Sequence, residues 1–272
     1  SSASDGPLAT LLSGGTDSST VTGILAGLQD DPVDTYSIRF SADGFYEMKY
    51  ASLAVKRIPA IPLDYNLKPD DVLSSIPLIA GTYDEPFANE SAVPTYFCAR
   101  QAASDGIRVM LAGDGGDEIF GGNERYAKQL VFEHYGRVPR ILRKGLVEPL
   151  AGGFPGGDAI MPVRKLRSYI RQASIPLPER MESYNFIYRQ PLAEMFHPDF
   201  IATVDPDVPA AMLRDAYTRA DTDHTVNRML HLDMKFTLAD NDLRKVSRMC
   251  EVAGVEVRYP LLDEALVDFS SR

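Results

Sequence analysis

The chain has 272 residues, 44% of them hydrophobic and 24% charged, which is ordinary for a globular protein with a substantial buried core. Its formal net charge is -10 at pH 7, whereas proteins that dock on nucleic acid normally carry a basic surface, so we expect no nucleic-acid partner. The sequence has no apolar run near the ~20 residues of a membrane span and no signal peptide, so we expect no membrane association and a cytoplasmic protein.

The first 122 residues predict strands that alternate with helices. Four short apolar runs predict strands at Leu8–Leu12, Thr35–Phe40, Ala60–Tyr65 and Arg108–Ala112. Helical spacing of apolar residues predicts helices at Asp17–Leu28, Tyr46–Arg57 and Val93–Ala103. This alternation favours a parallel sheet covered on both faces. After Gly122 we predict only helical segments and no further strand. The prediction is therefore one α/β domain, with a sheet core at residues 1–122 and a mainly helical part at 123–272.

A glycine-rich loop, LSGGTDSS at Leu12–Ser19, joins the first predicted strand to the first predicted helix. Its glycines permit a tight turn, and the helix N-terminus presents unpaired N–H donors and a partial positive charge. The loop therefore predicts a cradle for phosphate or pyrophosphate. Asp17 would repel such a ligand, and a Mg²⁺ ion between the two resolves the conflict. The alternative is that Asp17 or a serine simply caps the helix.

A second glycine-rich loop, LAGDGGDEIFGG at Leu111–Gly122, follows the fourth predicted strand. Because parallel strands end at one edge of a sheet, this loop should face the first one across a ligand crevice. Its three acids, Asp114, Asp117 and Glu118, are costly to hold together unless a cation or a proton transfer uses them. An exposed acidic turn is the alternative.

These motifs resemble those of a known family. The pattern Ser-Gly-Gly-x-Asp-Ser after an apolar strand resembles the pyrophosphate loop of the N-type ATP pyrophosphatases, and it is neither a Walker P-loop nor a Rossmann fingerprint. The second loop resembles the signature of the asparagine synthetases. Two further segments agree with that family: Tyr83–Phe87 with its following residues, and Leu243–Met249 with Gly254–Asp263. The chain is thus similar to the C-terminal synthetase domain of the asparagine synthetase family.

The resemblance implies roles for individual residues. Asp17 and Asp117 fall on the family's magnesium-binding acids. Asp114 falls on a catalytic acid, often Glu in the family, that matters for forming the acyl-adenylate and handling the amine. Ala112 departs from the family's usual Ser, which removes a hydroxyl group. The family's adenine and ribose positions fall on Leu12, Ile38, Ala112 and Gly113, its pyrophosphate loop on Ser13, Gly14, Gly15, Asp17 and Ser18, and further phosphate contacts on Lys245 and Arg248.

The resemblance also implies a reaction. With ATP and Mg²⁺, the enzyme would activate a carboxylate, first of all the aspartate side chain, as an acyl-adenylate with release of pyrophosphate. Ammonia would then give asparagine. In the full-length protein the ammonia would come from glutamine, through an N-terminal glutaminase domain that this chain lacks. The family also has a phosphate-binding lysine that we expect beyond Arg272.

Other interpretations stay open. A related amidotransferase, or a lactam- or peptide-forming synthetase, would use another carboxylate. A non-catalytic nucleotide-binding module is a second alternative, although it would need none of the three aspartates. An RNA- or sulfur-directed pyrophosphatase is disfavoured by the acidic charge, and Cys98 and Cys250 are predicted to be buried free thiols. The sequence does not reveal the oligomeric state, so a homodimer stays open.

Overall fold

The computed structural model describes residues 6–40, 47–87, 89–147, 149, 161–185 and 189–271. These residues form two compact units. The first combines the described residues of Ser1–Gly122 with those of Met234–Arg272, and the second lies within Asn123–Asp233. Each unit is described by itself below.

The first unit contains a parallel sheet with helices on both faces, so the predicted α/β fold with a helical remainder is confirmed. Its elements up to Gly122 are β1 (Leu8–Leu11), α1 (Thr16–Leu28), β2 (Val33–Phe40), α2 (Glu47–Val55), β3 (Ala60–Leu67), α3 (Pro69–Thr82), α4 (Ala92–Ser104), β4 (Val109–Leu111) and α5 (Gly116–Phe120).

The second unit is helical in its described part. Its elements are α6 (Glu124–Gly136), α7 (Arg140–Leu142), a π-helical turn at Arg143–Val147, α8 (Met161–Ala173), α9 (Glu179–Glu182), α10 (Leu192–Met195), α11 (Pro198–Ile201), α12 (Val208–Arg219) and α13 (Thr225–Asp233). The chain then re-enters the first unit with a π-helix at Met234–Leu243, α14 (Arg244–Ala253), β5 (Glu256–Arg258), a 3₁₀ turn at Pro260–Leu262 and α15 (Glu264–Ser270).

The five strands lie in the order β3-β2-β1-β4-β5, and every pair is parallel. In the register, Ala9 lies opposite Asp34 on β2 and opposite Met110 on β4. The strand order reverses at β1, because the chain runs outward through β2 and β3 and then returns to the other side. Ligands of open α/β sheets bind at such a switch point, beyond the carboxyl ends of the strands. The loops that follow β1 and β4 both lie there.

The sheet is buried on both faces, which explains the continuous apolar character of its central strands. One face packs against α4 and α14 through a core that includes Ala9, Met110 and both cysteines. On the other face, α1 packs through Leu25 and Ala26. Cys98 and Cys250 are buried free thiols, as predicted, and burial raises the pKa of Cys250 to about 12.

The elements of the first unit that depart from the sequence prediction include β5 and α3. The prediction that no strand follows Gly122 is wrong, because β5 pairs with β4 at Glu256–Arg258. Only three residues long and charged at both ends, it shows no apolar run and joins the sheet through its backbone. Helix α3 was also unpredicted, and its N-terminus is fixed by the Asp71 carboxylate, which accepts a hydrogen bond of 2.9 Å from the N–H of Lys68. Of the predicted second helix, Tyr46 lies outside the described residues.

In the second unit, buried polar side chains bind one another. The Arg180 guanidinium is buried, donates through Nε to Gln129 Oε1 at 2.6 Å, and forms an ion pair with Glu133. The buried Asp233 carboxylate accepts a 2.7 Å hydrogen bond from the Tyr126 hydroxyl. These contacts join helices that are distant in sequence. Among the described helices of the whole chain, none is both long enough and apolar enough to cross a bilayer.

Candidate functional site

The loop after β1 forms a preorganised turn. Gly14 has a φ of +87°, and Gly15 occupies the N-cap position of α1, where it has no side chain with which to cap the helix. The hydroxyl groups of Ser13 and Ser18 lie 3.0 Å apart and hold the loop together. Asp17 therefore lies in the first turn and is not the cap. The turn presents backbone N–H groups and hydroxyl groups that suit an anion.

The loop after β4 packs directly on this first loop. A Cβ atom at Gly113 would lie 2.5 Å from the backbone nitrogen of Ser18, and one at Gly116 would lie 2.5 Å from Oδ2 of Asp17. The neighbour of Gly113 is backbone, so only glycine permits that contact, whereas a side chain at Gly116 would have to displace the Asp17 carboxylate. The predicted meeting of the two loops at one edge of the sheet is confirmed by these distances.

The two loops form one end of a cleft of about 1070 Å³ in the first unit. The rest of the described lining comes from the ends of β2 and β3, from α3 and α4, and from the segment around Lys245. Of the predicted site residues, those that line the cleft are Leu12, Ser13, Gly15, Asp17, Ser18, Ile38, Gly113, Asp114, Asp117 and Lys245.

Three predicted residues lie outside this described lining. Gly14 lies in the turn after β1 but is not part of the lining. Ala112 is buried, and its N–H donates to the carbonyl of Arg258 at 3.0 Å. The exposed Arg248 donates to Glu251 at 2.8 Å, an i,i+3 pair on the surface of α14. Leu12 does line the cleft, but its carbonyl already accepts a 2.6 Å bond from the Ser37 hydroxyl. Its backbone contact to adenine stays a prediction.

Two carboxylates face each other where the loops meet. Burial raises the pKa of Asp17, and the neighbouring Asp117 carboxylate raises it further. Among the described residues, no group of three or more His, Cys, Asp or Glu side chains could hold a metal ion alone. Two carboxylates beside a phosphate cradle nevertheless fit Mg²⁺, which is usually bound by one or two carboxylates together with substrate phosphates.

Asp114 lies deeper in the cleft, in a different environment. Burial raises its pKa to about 6; Lys245 lowers this pKa and Asp242 raises it. Lys245 is itself bound to Asp242, with Nζ 3.0 Å from Oδ1, so its charge is shared between two acids. A carboxyl group with a pKa near neutrality, next to an ammonium group, can accept and return a proton.

A second cavity of about 440 Å³ adjoins the cleft. Glu90, Ser91, Asp242 and Lys245 line both spaces, so a molecule in the second cavity can reach the cleft past Lys245. No role was predicted from the sequence for Ser91, Glu90 or Asp242. The only signal for Asp242 was its position three residues before Lys245 on a helix. The remaining residues of the second cavity are Pro86, Phe87, Asn89 and Asn241.

Comparison with known proteins agrees with this architecture. The family model described as asparagine synthase matches residues 2–272. "Asparagine synthetase [glutamine-hydrolyzing] 1" of Bacillus subtilis is 26% identical over 270 residues, which are 99% of this chain and 41% of that protein.

"Putative asparagine synthetase [glutamine-hydrolyzing]" of Mycobacterium tuberculosis H37Rv is 28% identical over 268 residues, 96% of this chain and 38% of that protein. A protein of Methanocaldococcus jannaschii named "Putative asparagine synthetase [glutamine-hydrolyzing] 2" is 36% identical over 142 residues, 52% of this chain and 27% of that protein. This chain thus spans about two fifths of the length of the first two relatives. Because the family model covers nearly the whole chain and the two loops meet as its motifs require, the chain belongs to the asparagine synthase family.

Proposed function

We propose that this chain is the synthetase part of an amide-forming ligase, which uses ATP to activate a carboxylate and then transfers it to ammonia. The observation that carries the proposal is the contact between the two glycine-rich loops at the ends of β1 and β4, with Asp114 beside them in the lining of the cleft. The names of the relatives support asparagine as the product. The aspartate side chain is therefore the first choice of acceptor.

The loop after β1 would bind the phosphates of ATP. The N-terminus of α1 and the Ser13 and Ser18 hydroxyl groups offer donors to the β and γ phosphates, which leave together as pyrophosphate. Asp17 and Asp117 would hold a Mg²⁺ ion, which supplies positive charge to the departing pyrophosphate. Adenine and ribose would lie toward Leu12 and Ile38, at the ends of β1 and β2.

The acceptor would occupy the second cavity, with its carboxylate beside Lys245. One carboxylate oxygen attacks the α phosphorus, the bond from that phosphorus to the bridging oxygen breaks, and pyrophosphate leaves with the electron pair. Ammonia then attacks the acyl carbon, and AMP leaves. The nitrogen must lose a proton in this step, and Asp114, which lines the cleft, would accept it. Its raised pKa makes it a stronger base than an ordinary carboxylate at neutral pH.

Ammonia would come from glutamine, through a glutaminase part of the full-length protein, because the relatives are named as glutamine-hydrolysing. A synthetase for another carboxylate is the second candidate, favoured by the polar second cavity with its two asparagines. The third candidate, a non-catalytic nucleotide-binding module, gains nothing from a partly buried Asp114 whose ionisation is opposed by its surroundings.

The experiment is pyrophosphate release by the full-length protein with MgATP, ammonium and a panel of amino, hydroxy and simple carboxylic acids. We expect release that depends on one acid and requires Mg²⁺. The Asp17→Asn variant should lose MgATP affinity by ~10-fold or more, while its affinity for metal-free AMP stays close to that of the wild type. Folded protein that binds ATP but is inert with every acid would favour the non-catalytic module.

A further inference from the structure

One wall of the second cavity is linked to an arginine on a distant helix. Arg244, at the start of α14, donates a hydrogen bond through one guanidinium nitrogen to Glu85 and through another to Asp84. Its guanidinium carbon also lies over the ring of Tyr83, 5.7 Å from the centroid. Three consecutive side chains of the segment Tyr83–Phe87 therefore contact one side chain of a distant helix.

These contacts continue to the cavity itself. The ring of Tyr83 stacks on the ring of Phe87 with centroids 4.1 Å apart and planes inclined by 19°. Phe87 and its neighbour Pro86 line the second cavity. Arg244 thus fixes this apolar wall through Tyr83 on one side and through the two acids on the other.

The opposite wall of the cavity comes from the same end of α14 and from the π-helix before it. Lys245 follows Arg244 in the chain and lines both the cavity and the cleft, together with Asp242. A second tie joins the two walls, because Asn89 Nδ2 donates to Asn241 Oδ1 at 3.0 Å. The Arg244 contacts and this amide bond set the spacing between the walls.

The exposure of the two acids limits how much their ion pairs with Arg244 can contribute to stability. The side chains of Asp84 and Glu85 are 89% and 60% exposed, and ion pairs with such exposed partners contribute only ~0–1 kcal/mol to stability. Removing Arg244 should therefore leave the protein folded. Its main effect would be to release the wall formed by Pro86 and Phe87.

We propose that Arg244 is a positioning residue for the acceptor: by clamping Asp84 and Glu85 it fixes the width of the second cavity, and thereby the place of the acceptor carboxylate beside Lys245. The inference rests on the proposed function, since it assigns the second cavity to the acceptor. A wider cavity would hold the acceptor carboxylate less firmly, which weakens the binding of the acid and raises its KM. Loss of the clamp should therefore act on the acceptor and leave the nucleotide unaffected.

The experiment compares wild-type full-length protein with Arg244→Gln, Arg244→Lys and the control Arg214→Gln. The probe is the acid that gives the wild type its fastest pyrophosphate release. We expect Arg244→Gln to raise the KM for this acid by ~10-fold or more, with the KM for ATP changed by less than about twofold. Arg244→Lys should fall in between, because an ammonium group can reach only one of the two acids at a time. Hydrogen exchange at residues 83–87 should quicken in the same order.

Arg214 is a matched control because it also joins two elements, α12 and α9, through a 2.8 Å bond to Glu179, but does so in the second unit. Its variant should leave both KM values unchanged. An unchanged acid KM in Arg244→Gln, or an equal rise in the KM for ATP, would overturn the clamp while leaving the proposed function intact. Wild-type protein that is inert with every acid would overturn both.

Discussion

Arg180 in the second unit is a buried ionisable side chain, whereas Asp114 in the first is only partly buried, and their surroundings differ. Arg180 donates to Gln129 and pairs with Glu133, so its charge is matched by partners that no ligand needs to supply. Asp114 has no such balance, because burial raises its pKa to about 6 and Asp242 shares the nearby Lys245. The charge of Arg180 is paired within the fold, whereas Asp114 lines a cleft and has an incompletely compensated charge.

This difference separates structural charges from functional ones. A buried charge whose partners are complete holds elements together, and its removal should affect stability. A buried charge that is poorly compensated costs stability, and such groups cluster at active sites. The variants below test whether the two residues divide in this way.

The largest effect should come from Asp114→Asn, which keeps the size of the side chain and removes the base. We expect amide formation to fall by ~10²–10⁴, the range of general acid–base groups, with ATP affinity within a few-fold of wild type. Pyrophosphate release and product formation should be measured under single-turnover conditions. Unchanged turnover would remove Asp114 from the chemistry.

A smaller effect, on stability alone, should follow Arg180→Met. The change leaves the buried Gln129 without its donor and Glu133 without its ion pair, so we expect a loss of about 2–3 kcal/mol in the free energy of unfolding. Urea denaturation measures it. The control Arg219→Met removes an exposed i,i+4 pair with Asp215 and should cost less than ~1 kcal/mol. Arg180→Met protein that stays fully stable but loses nucleotide affinity would reverse the assigned roles.

The smallest effect is the pH dependence that Asp114 gives to stability. Its pKa rises from 3.8 to about 6 on folding, so the folded state binds the proton more tightly. The contribution to stability is therefore present at acid pH and is lost as the pH rises through 6. Between pH 5 and pH 8 the wild type should lose about 1–2 kcal/mol relative to Asp114→Asn. Denaturation of both proteins in chelator at the two pH values gives the difference, and parallel pH curves would contradict it.

The sequence predicted the central strands β1 and β4 well because they are short apolar runs in the interior of the sheet, and burial leaves a clear pattern. It missed β5 because a strand can join a sheet through its backbone hydrogen bonds alone. It also missed α3, which contains Pro77 and keeps several apolar side chains, including Leu73 and Ile76, exposed to solvent. A pattern of apolar residues indicates which side chains are buried. An element that buries few side chains is therefore hard to predict from the sequence.

The two loops of the site could be predicted because each is continuous in sequence and rich in glycine. Glu90 and Asp242 could not, since each is one ordinary acid on a separate segment, brought to the cavity only by folding. Arg248 was assigned to phosphate by resemblance; in the structure it lies outside the described lining of the cleft and donates to Glu251, so its phosphate contact stays a prediction. Local sequence does not show which partner a long charged side chain will choose.

The contact between the two loops limits which positions can change by mutation. A side chain at Gly113 would meet the backbone of Ser18 and push the two glycine-rich loops apart, and one at Gly116 would displace the Asp17 carboxylate. Randomising these positions in a directed-evolution library should yield inactive clones whatever the selected acceptor. The walls of the second cavity are joined by side chains instead, through the hydrogen bond between Asn89 and Asn241, so these two residues would have to change together. Under the proposed function, a change of acceptor is therefore expected from paired mutations at the cavity, while the contact between the two loops is kept.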